Sequence, residues 1–301
     1  MQKPYKSGFV AIIGRSNVGK STLLNTLVGT KIAATSFRAQ MTRHLIHGVM
    51  NIPGNKTHAA GQAVFVDTPG FFRDKKSSLT SKLIGKINES LEGIDLILYV
   101  VDPSREIGDE ERGLYGMIRH LDIPKILVLN KSDLPAKNRQ HERAYREWAS
   151  DFTAVFTLSA LRGSHVQPLR DKVIELLPEG EAMYLENQLT NVTEDFFVEE
   201  LIREKAFSVL DKELPYSLTV TVDKMEDKPR KTSSRGGEDM FVIEARILTD
   251  EERYKRMIIG KNASKIKEIG QMARKELEQA LHKKVFLDLE VEVDTHWVER
   301  I

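Results

Sequence analysis

The sequence predicts two folds in succession: an α/β domain with a mostly parallel sheet and helices on both faces, then a smaller α+β domain. Three observations carry this. Apolar runs of strand length alternate with helical patterns to about residue 177. A glycine-rich turn joins the first strand to the first helix, an arrangement that aims backbone N–H groups at an anion. From Pro178-Glu179-Gly180-Glu181 onward the alternation stops and the order of elements changes. The expected division is a first domain at 1–178, a linker at 179–192 and a second domain at 193–301.

Phe9-Val10-Ala11-Ile12-Ile13 reads as the first strand, and Thr22 to Leu27 as the helix after the turn. Ala63 to Val66, Lys125 to Leu129 and Ala154 to Leu158 read as further buried strands. Helical patterns follow Ser21, Leu79, Asp109, Arg139 and Ser164. In the second domain Thr193 caps an amphipathic helix to Leu210, with Phe196, Phe197, Leu201, Ile202 and Val209 on its apolar face. Ser217 to Val222, Met240 to Leu248 and Val285 to Val293 read as strands, and Glu226 to Asp239 as a mobile polar loop.

The chain has 301 residues, 30% charged and 41% hydrophobic, which suits two globular domains with a core in each. It contains no cysteine, so disulfides and thiolate metal sites are excluded. Met1 to Ser7 lacks the apolar stretch of a signal peptide, and the longest apolar run, Leu96 to Val101, is too short to span a bilayer. A cytoplasmic protein is expected. The net charge of +1 is unevenly spread. Residues 1–180 carry 25 Lys and Arg against 18 Asp and Glu, and residues 181–301 carry 20 against 26. Within the acidic second part, residues 253–284 hold ten basic residues and three glutamates, a local basic stripe.

Gly14-Arg15-Ser16-Asn17-Val18-Gly19-Lys20-Ser21 is G-x-x-x-x-G-K-S between a strand and a helix that opens with Thr22. Its backbone can wrap a phosphate, Lys20 can reach the β- and γ-phosphates, and the Ser21 hydroxyl suits Mg²⁺. Asp67-Thr68-Pro69-Gly70 ends another strand as D-x-x-G, with Asp67 placed to hold Mg²⁺ through water and the Gly70 N–H to meet the γ-phosphate. Asn130-Lys131-Ser132-Asp133 is N-K-x-D at the end of a third strand. A carboxylate there accepts from both guanine N1–H and its exocyclic amine, whereas adenine would leave it unpaired. Ser159-Ala160-Leu161 follows a fourth strand, and its backbone N–H groups suit guanine O6. Four elements in order, each at the C-terminal end of an apolar run, define a guanine-nucleotide site. Over residues 8–177 the chain resembles the translation-factor-type GTPase superfamily.

The basic stripe holds a second motif. Ile259-Gly260-Lys261-Asn262-Ala263 leads into Ser264-Lys265-Ile266-Lys267-Glu268-Ile269-Gly270, an I-G-K-x-x-x-x-I-K-x-I-G run between two helices. With the order helix, strand, strand, helix, helix, strand this resembles a type II KH domain, whose G-x-x-G loop clamps about four single-stranded nucleotides. Ala263 stands where the second glycine is usual. The added methyl is a small obstacle if φ is negative there, as at a helix start. Lys261, Lys265 and Lys267 would flank the nucleic-acid backbone, with Ile258, Ile259, Ile266 and Ile269 as apolar support.

A GTPase domain followed by a KH domain resembles the Era family of bacterial small-subunit ribosome-assembly GTPases, over nearly the whole chain. Thr35 to His44 is similar to the first switch of that family, with Ala39 and Met41 departing from its pattern and Thr42, Arg43 and His44 matching. The resemblance makes Thr42 the switch threonine that reaches Mg²⁺, beside Lys20 and Gly70 in catalysis. It implies GTP and GDP as ligands, binding near the 3′ end of 16S ribosomal RNA and to the small subunit, a monomer, and peripheral association with the inner membrane. Neither spacing nor composition gives the ribosomal-RNA target or the membrane association. Phe71 stands where Ras-like enzymes place the water-orienting glutamine, so slow intrinsic hydrolysis is expected. Asn17 is either a turn residue or, as in some relatives of this class, a ligand for K⁺. His44 and His47 read as exposed strand residues, and Trp148 as packing on the sheet. Two other readings compete: an RNA-binding protein with a structural nucleotide site, and a GTPase of the tRNA-modification or membrane-acting type. Intact Lys20, Ser21, Thr42 and Asp67 speak against the first, and the absence of cysteine against tRNA modification.

Overall fold

The computed structural model describes residues 3–33, 46–54, 59–67, 93–210, 214–228 and 240–297. It divides into two compact units, Met1–Asn191 and Val192–Ile301.

The first unit is built on a six-stranded sheet in the order β2-β3-β1-β4-β5-β6. Its strands are β1 Lys6–Ile13, β2 Ile46–Ile52, β3 Gly61–Asp67, β4 Leu96–Val101, β5 Lys125–Leu129 and β6 Ala154–Thr157. All neighbours pair in parallel except the edge strand β2, which is antiparallel to β3. Every residue of β3, β4 and β5 is buried, as expected of parallel strands covered on both faces. Helices α1 Lys20–Val28, α2 Asp109–Ile118, α3 Glu142–Arg146 and α4 Val166–Leu176 connect and cover them. On one face Ala11, Ile13, Ile97, Tyr99, Leu127 and Leu129 pack against Leu114 and Ile118 of α2 and against Tyr145. The C-terminal ends of β1, β3, β5 and β6 bring residues 14–21, Asp67, residues 130–133 and residues 159–161 to one edge of the sheet.

Several expectations change here. The helix expected after Arg139 is cut to the five residues of α3, flanked by 3₁₀ turns at Ala136–Asn138 and Ala149–Asp151. Trp148 leaves the helical path to lie flat on Tyr115 of α2, with ring centroids 4.1 Å apart and planes 2° from parallel. The helix expected after Leu79 lies outside the described residues.

The segment read as a linker is docked on the first unit. Gly180 N–H donates to the Tyr5 carbonyl, and Ser7 Oγ donates to the Glu181 carbonyl. Further on, Gln62 accepts from the N–H groups of Met183 and Tyr184 and donates to the Tyr184 carbonyl. Val49 N–H donates to Leu189, His47 N–H to Asn191 Oδ1, and Gly48 bridges Thr190 in antiparallel register. Backbone groups on the outer edge of β2 need partners, and this strap supplies them. It also half-buries His47, whose Nδ1 sits 2.8 Å from the Tyr184 hydroxyl and whose pKa burial lowers. His47 is therefore not an exposed strand residue.

The second unit follows the order α5 Glu194–Val209, β7 Leu218–Lys228, β8 Met240–Thr249, α6 Glu252–Ile259, α7 Ser264–Leu281 and β9 Lys284–Val293. Its sheet runs β7-β8-β9, with β7 antiparallel and β9 parallel to the central strand. Thr193 caps α5, its side-chain oxygen accepting from Phe196 N–H at 3.3 Å. Val198, Leu201 and Ile202 of α5, Ile243 and Ile247 of β8, and Ile269, Ala273 and Leu277 of α7 share one core. Strand β7 continues through Lys228, so Glu226 to Lys228 are paired with β8 rather than looped. Residues 229–239 lie outside the described residues.

Candidate functional site

The turn between β1 and α1 closes on itself. Lys20 is buried, and its Nζ donates to the carbonyls of Gly14 and Arg15, both at 3.1 Å. Burial pushes the Lys20 pKa down to about 8, although Asp67 and Glu111 pull the other way. Gly19 has φ +100°, and a Cβ there would lie 2.3 Å from Asn130 Nδ2. A glycine is required at that position on both counts. Asn17 has φ +66°, so its backbone is that of the turn residue the sequence allows.

Asp67, fully buried at the end of β3, accepts from the Ser21 hydroxyl at 2.7 Å. A hydroxyl and a carboxylate side by side at the loop are hard oxygen donors of the kind Mg²⁺ takes together with phosphate and water. Thr68, Pro69, Gly70, Phe71 and the whole of Thr35 to His44, with Thr42, lie outside the described residues.

Asn130 ties the two halves of the site together. Its Nδ2 donates to the Val18 carbonyl at 2.8 Å, and its Oδ1 accepts from Ala160 N–H at 2.9 Å. Asp133 accepts from the Ser159 hydroxyl at 2.5 Å, which orients the carboxylate. Ser132 N–H donates to the Leu158 carbonyl, joining the two base-side loops. Lys131, at φ +61°, reaches Asp102 at 2.6 Å. Burial raises the Asp102 pKa, but hydrogen bonds from Lys131 and Ser104 outweigh it and the net shift is downward. Ser159 N–H donates to Ser164 and Ala160 N–H to Asn130, so two of the three N–H groups expected on guanine O6 are engaged within the chain. Leu161 is three-quarters exposed at the rim.

Sequence reasoning missed three members of this arrangement: Asp102, Arg105 and Thr26. Thr26 Oγ1 donates to the Ala160 carbonyl, fastening α1 to the base-side loop. Arg105 Nη1 donates to the Ser16 carbonyl at 2.8 Å. The available signal was Asp102-Pro103-Ser104-Arg105, a polar run just after the apolar β4 and at the same sheet edge as the other motifs.

The second candidate surface is the turn between α6 and α7. Gly260 has φ 72°, Asn262 52° and Ala263 59°. Ala263 thus keeps the left-handed backbone that glycine would adopt, and the expectation of a negative φ there is corrected. The cause is the tight closure of the turn, in which Ala263 N–H donates to the Gly260 carbonyl at 3.1 Å. Lys261 and Asn262 are exposed, and the Lys265 stem lies over Gly260, 3.0 Å from where a Cβ would sit. Lys267, two residues on, projects from a different side of α7, so the two lysines do not form one line. Ile258 and Ile269 are buried beneath, with Ile259 and Ile266 packed against them.

With this geometry in hand, the comparisons with known proteins are specific. Residues 9–131 match the family of 50S ribosome-binding GTPases, and residues 213–298 match the KH domain. GTPase Era of Thermoanaerobacter sp. (strain X514) is 39% identical over 295 residues, covering 97% of this chain and 93% of the relative. GTPase Era of Geobacter sp. (strain M21) is 40% identical over 302 residues, covering 98% and 95%. Among solved structures, Era in complex with MgGDPNP and nucleotides 1506–1542 of 16S ribosomal RNA matches at TM-score 0.85 and 36% identity, over 98% of this chain and 96% of that one. A variant of Aquifex aeolicus Era bound to GDP and AlF₄⁻ matches at TM-score 0.86 and 36% identity, with the same coverage.

Proposed function

The chain belongs to the GTPase Era family, and from that membership we propose a GTP-hydrolysing switch that binds small-subunit 16S ribosomal RNA through its KH domain and acts in small-subunit assembly. The observation that carries the nucleotide half is Asn130, which spans the Val18 carbonyl and the Ala160 N–H and so makes phosphate loop and base reader one rigid site.

In this reading residues 14–22 wrap the phosphates, and Lys20 stops capping the Gly14 and Arg15 carbonyls to meet the β- and γ-oxygens. Ser21, and Asp67 through water, would hold Mg²⁺, which when bound would neutralise charge at the phosphates. Asp133 accepts from guanine N1–H and the exocyclic amine, already oriented by Ser159. Thr42 and Gly70 would complete the γ-phosphate side, and Asn17 would be the residue to hold K⁺. The RNA lies against Ile259, Gly260, Lys261, Asn262 and Ala263, with Lys265 beside the loop. The protein works as a monomer, in the cytoplasm and peripherally at the inner membrane; these points rest on the family resemblance.

The test is nucleotide titration of Asp133→Asn. Asn donates where Asp only accepts, so guanine affinity should fall by about 10²-fold or more and xanthine nucleotides should gain. Wild-type GTP affinity in that variant would remove Asp133 as the base reader.

A further inference from the structure

One buried cluster beside the nucleotide site remains without a role. Glu111, in the first turn of α2, is fully buried. Its Oε1 accepts from the Tyr99 hydroxyl at 2.5 Å, and its Oε2 lies 3.2 Å from the Tyr145 hydroxyl and 3.8 Å from Arg15 Nη1. Arg15, on the phosphate loop, donates from Nε to Glu110 at 3.0 Å and from Nη1 to the Glu106 carbonyl at 3.2 Å. Arg105 crosses in the opposite direction and donates to the Ser16 carbonyl at 2.8 Å. The Tyr145 hydroxyl also lies 3.3 Å from the Arg105 carbonyl, which pins the segment that carries this arginine. Two guanidinium groups thus clamp the first half of the loop to residues 105–111, and no expected nucleotide interaction accounts for either bond.

We propose that Arg105 is a positioning residue for GTP hydrolysis, holding the Ser16–Asn17 peptide so that its N–H faces the terminal phosphates. A trans peptide is planar, and its N–H points opposite to its carbonyl. With the Ser16 carbonyl held by Arg105 on one side, the Asn17 N–H is presented on the other. Were that peptide to turn over, a carbonyl oxygen would meet the phosphate in place of a donor. The peptide belongs to the β/γ end of the loop, because Lys20, which serves those phosphates, sits on the neighbouring carbonyls of Gly14 and Arg15. Donors fixed before charge develops are the ones that lower a barrier. Arg105 acts through the peptide and needs no contact with nucleotide.

This inference rests on residues 14–21 being the phosphate loop, so the test separates the two. In the full-length protein, Arg105→Ala should lower kcat for GTP by about 10- to 100-fold, less than the roughly 10²–10³-fold lost when a preorganised donor is removed outright. KM for GTP, GDP affinity and the melting midpoint should stay close to wild type, since the side chain is only half-buried. Arg105→Lys, which can still donate to the Ser16 carbonyl, should recover most of the rate. Unchanged kcat in Arg105→Ala overturns the proposal. So does a loss of kcat, GDP affinity and melting midpoint together, which would make Arg105 a packing residue. Lys20→Ala is the control: normal GTP binding and hydrolysis there would instead overturn the phosphate-loop reading itself.

Discussion

Lys20 is a cation held in a dry place before any phosphate arrives. Burial sets its pKa at about 8, against 10.5 for a free lysine. The folded protein therefore binds fewer protons than the unfolded chain between these values, and this residue makes stability rise with pH across about 8 to 10.5. Nucleotide binding runs the other way, because phosphate selects the charged amine. GTP affinity should fall as pH rises through about 8, and binding above that pH should take up a proton. Calorimetry at pH 8.5 in two buffers of different ionisation enthalpy reads this directly, and equal apparent enthalpies would refute it. The residue types of this site were legible because each chemical task admits few side chains: an amine, a hydroxyl and a carboxylate at fixed spacing. Asp102 and Arg105 were not, since they act on other side chains and backbone groups far along the chain: Arg105 on Ser16, 89 residues earlier, and Asp102 on Lys131, 29 residues later.

Among the elements, those with one dominant environment were readable. Lys125 to Leu129 is a strand with the bounds its apolar run suggests, because both faces are covered. Helix α5 shows the limit. Its sequence reads as amphipathic, yet Glu200, Arg203, Glu204 and Lys205 are buried along with its apolar face. Arg203 pairs with Glu200 one turn back, and Lys205 with Glu204 and with Glu276 of α7. Charges that a sequence presents as a solvated face become internal once they have partners, and partners from other elements leave no local pattern. Strand β2 was obscure for the same reason, being ordered by β3 and by a strap that comes some 140 residues later. The turn between α6 and α7 yields a prediction at this scale. A left-handed alanine costs about 1–2 kcal/mol, and replacing it by glycine gives back about 0.4–1 kcal/mol of unfolded-chain entropy. Ala263→Gly should thus stabilise the protein by roughly 0.5–1 kcal/mol in denaturant unfolding. A drop in stability would mean that the methyl packs well enough to outweigh the strain.

At the scale of the whole molecule, the two units carry separate chemistries and opposite charge: the first is net basic, and the second is acidic apart from its helix–turn–helix stripe. Gly260→Asp should weaken binding of a short single-stranded RNA from the 3′ end of 16S ribosomal RNA while GTP affinity stays unchanged. For every phosphate that the variant no longer neutralises, the log–log salt dependence should flatten by about 0.7. Undiminished RNA affinity with an intact circular dichroism spectrum would take this turn out of the RNA site. The order of the two domains was plain from the break at Pro178, but the place where the first one ends was not, because an extended segment docked on a sheet edge has the composition of a linker. That strap bears on how the gene can be cut. A recombinant fragment stopped at Pro178 would bare the rim of β2, a row of main-chain groups open to the next molecule, and should precipitate or form sheet-rich aggregates. One carried on to Asn191 keeps its own cover and should stay monodisperse in light scattering, at the cost of thirteen residues that look dispensable on paper.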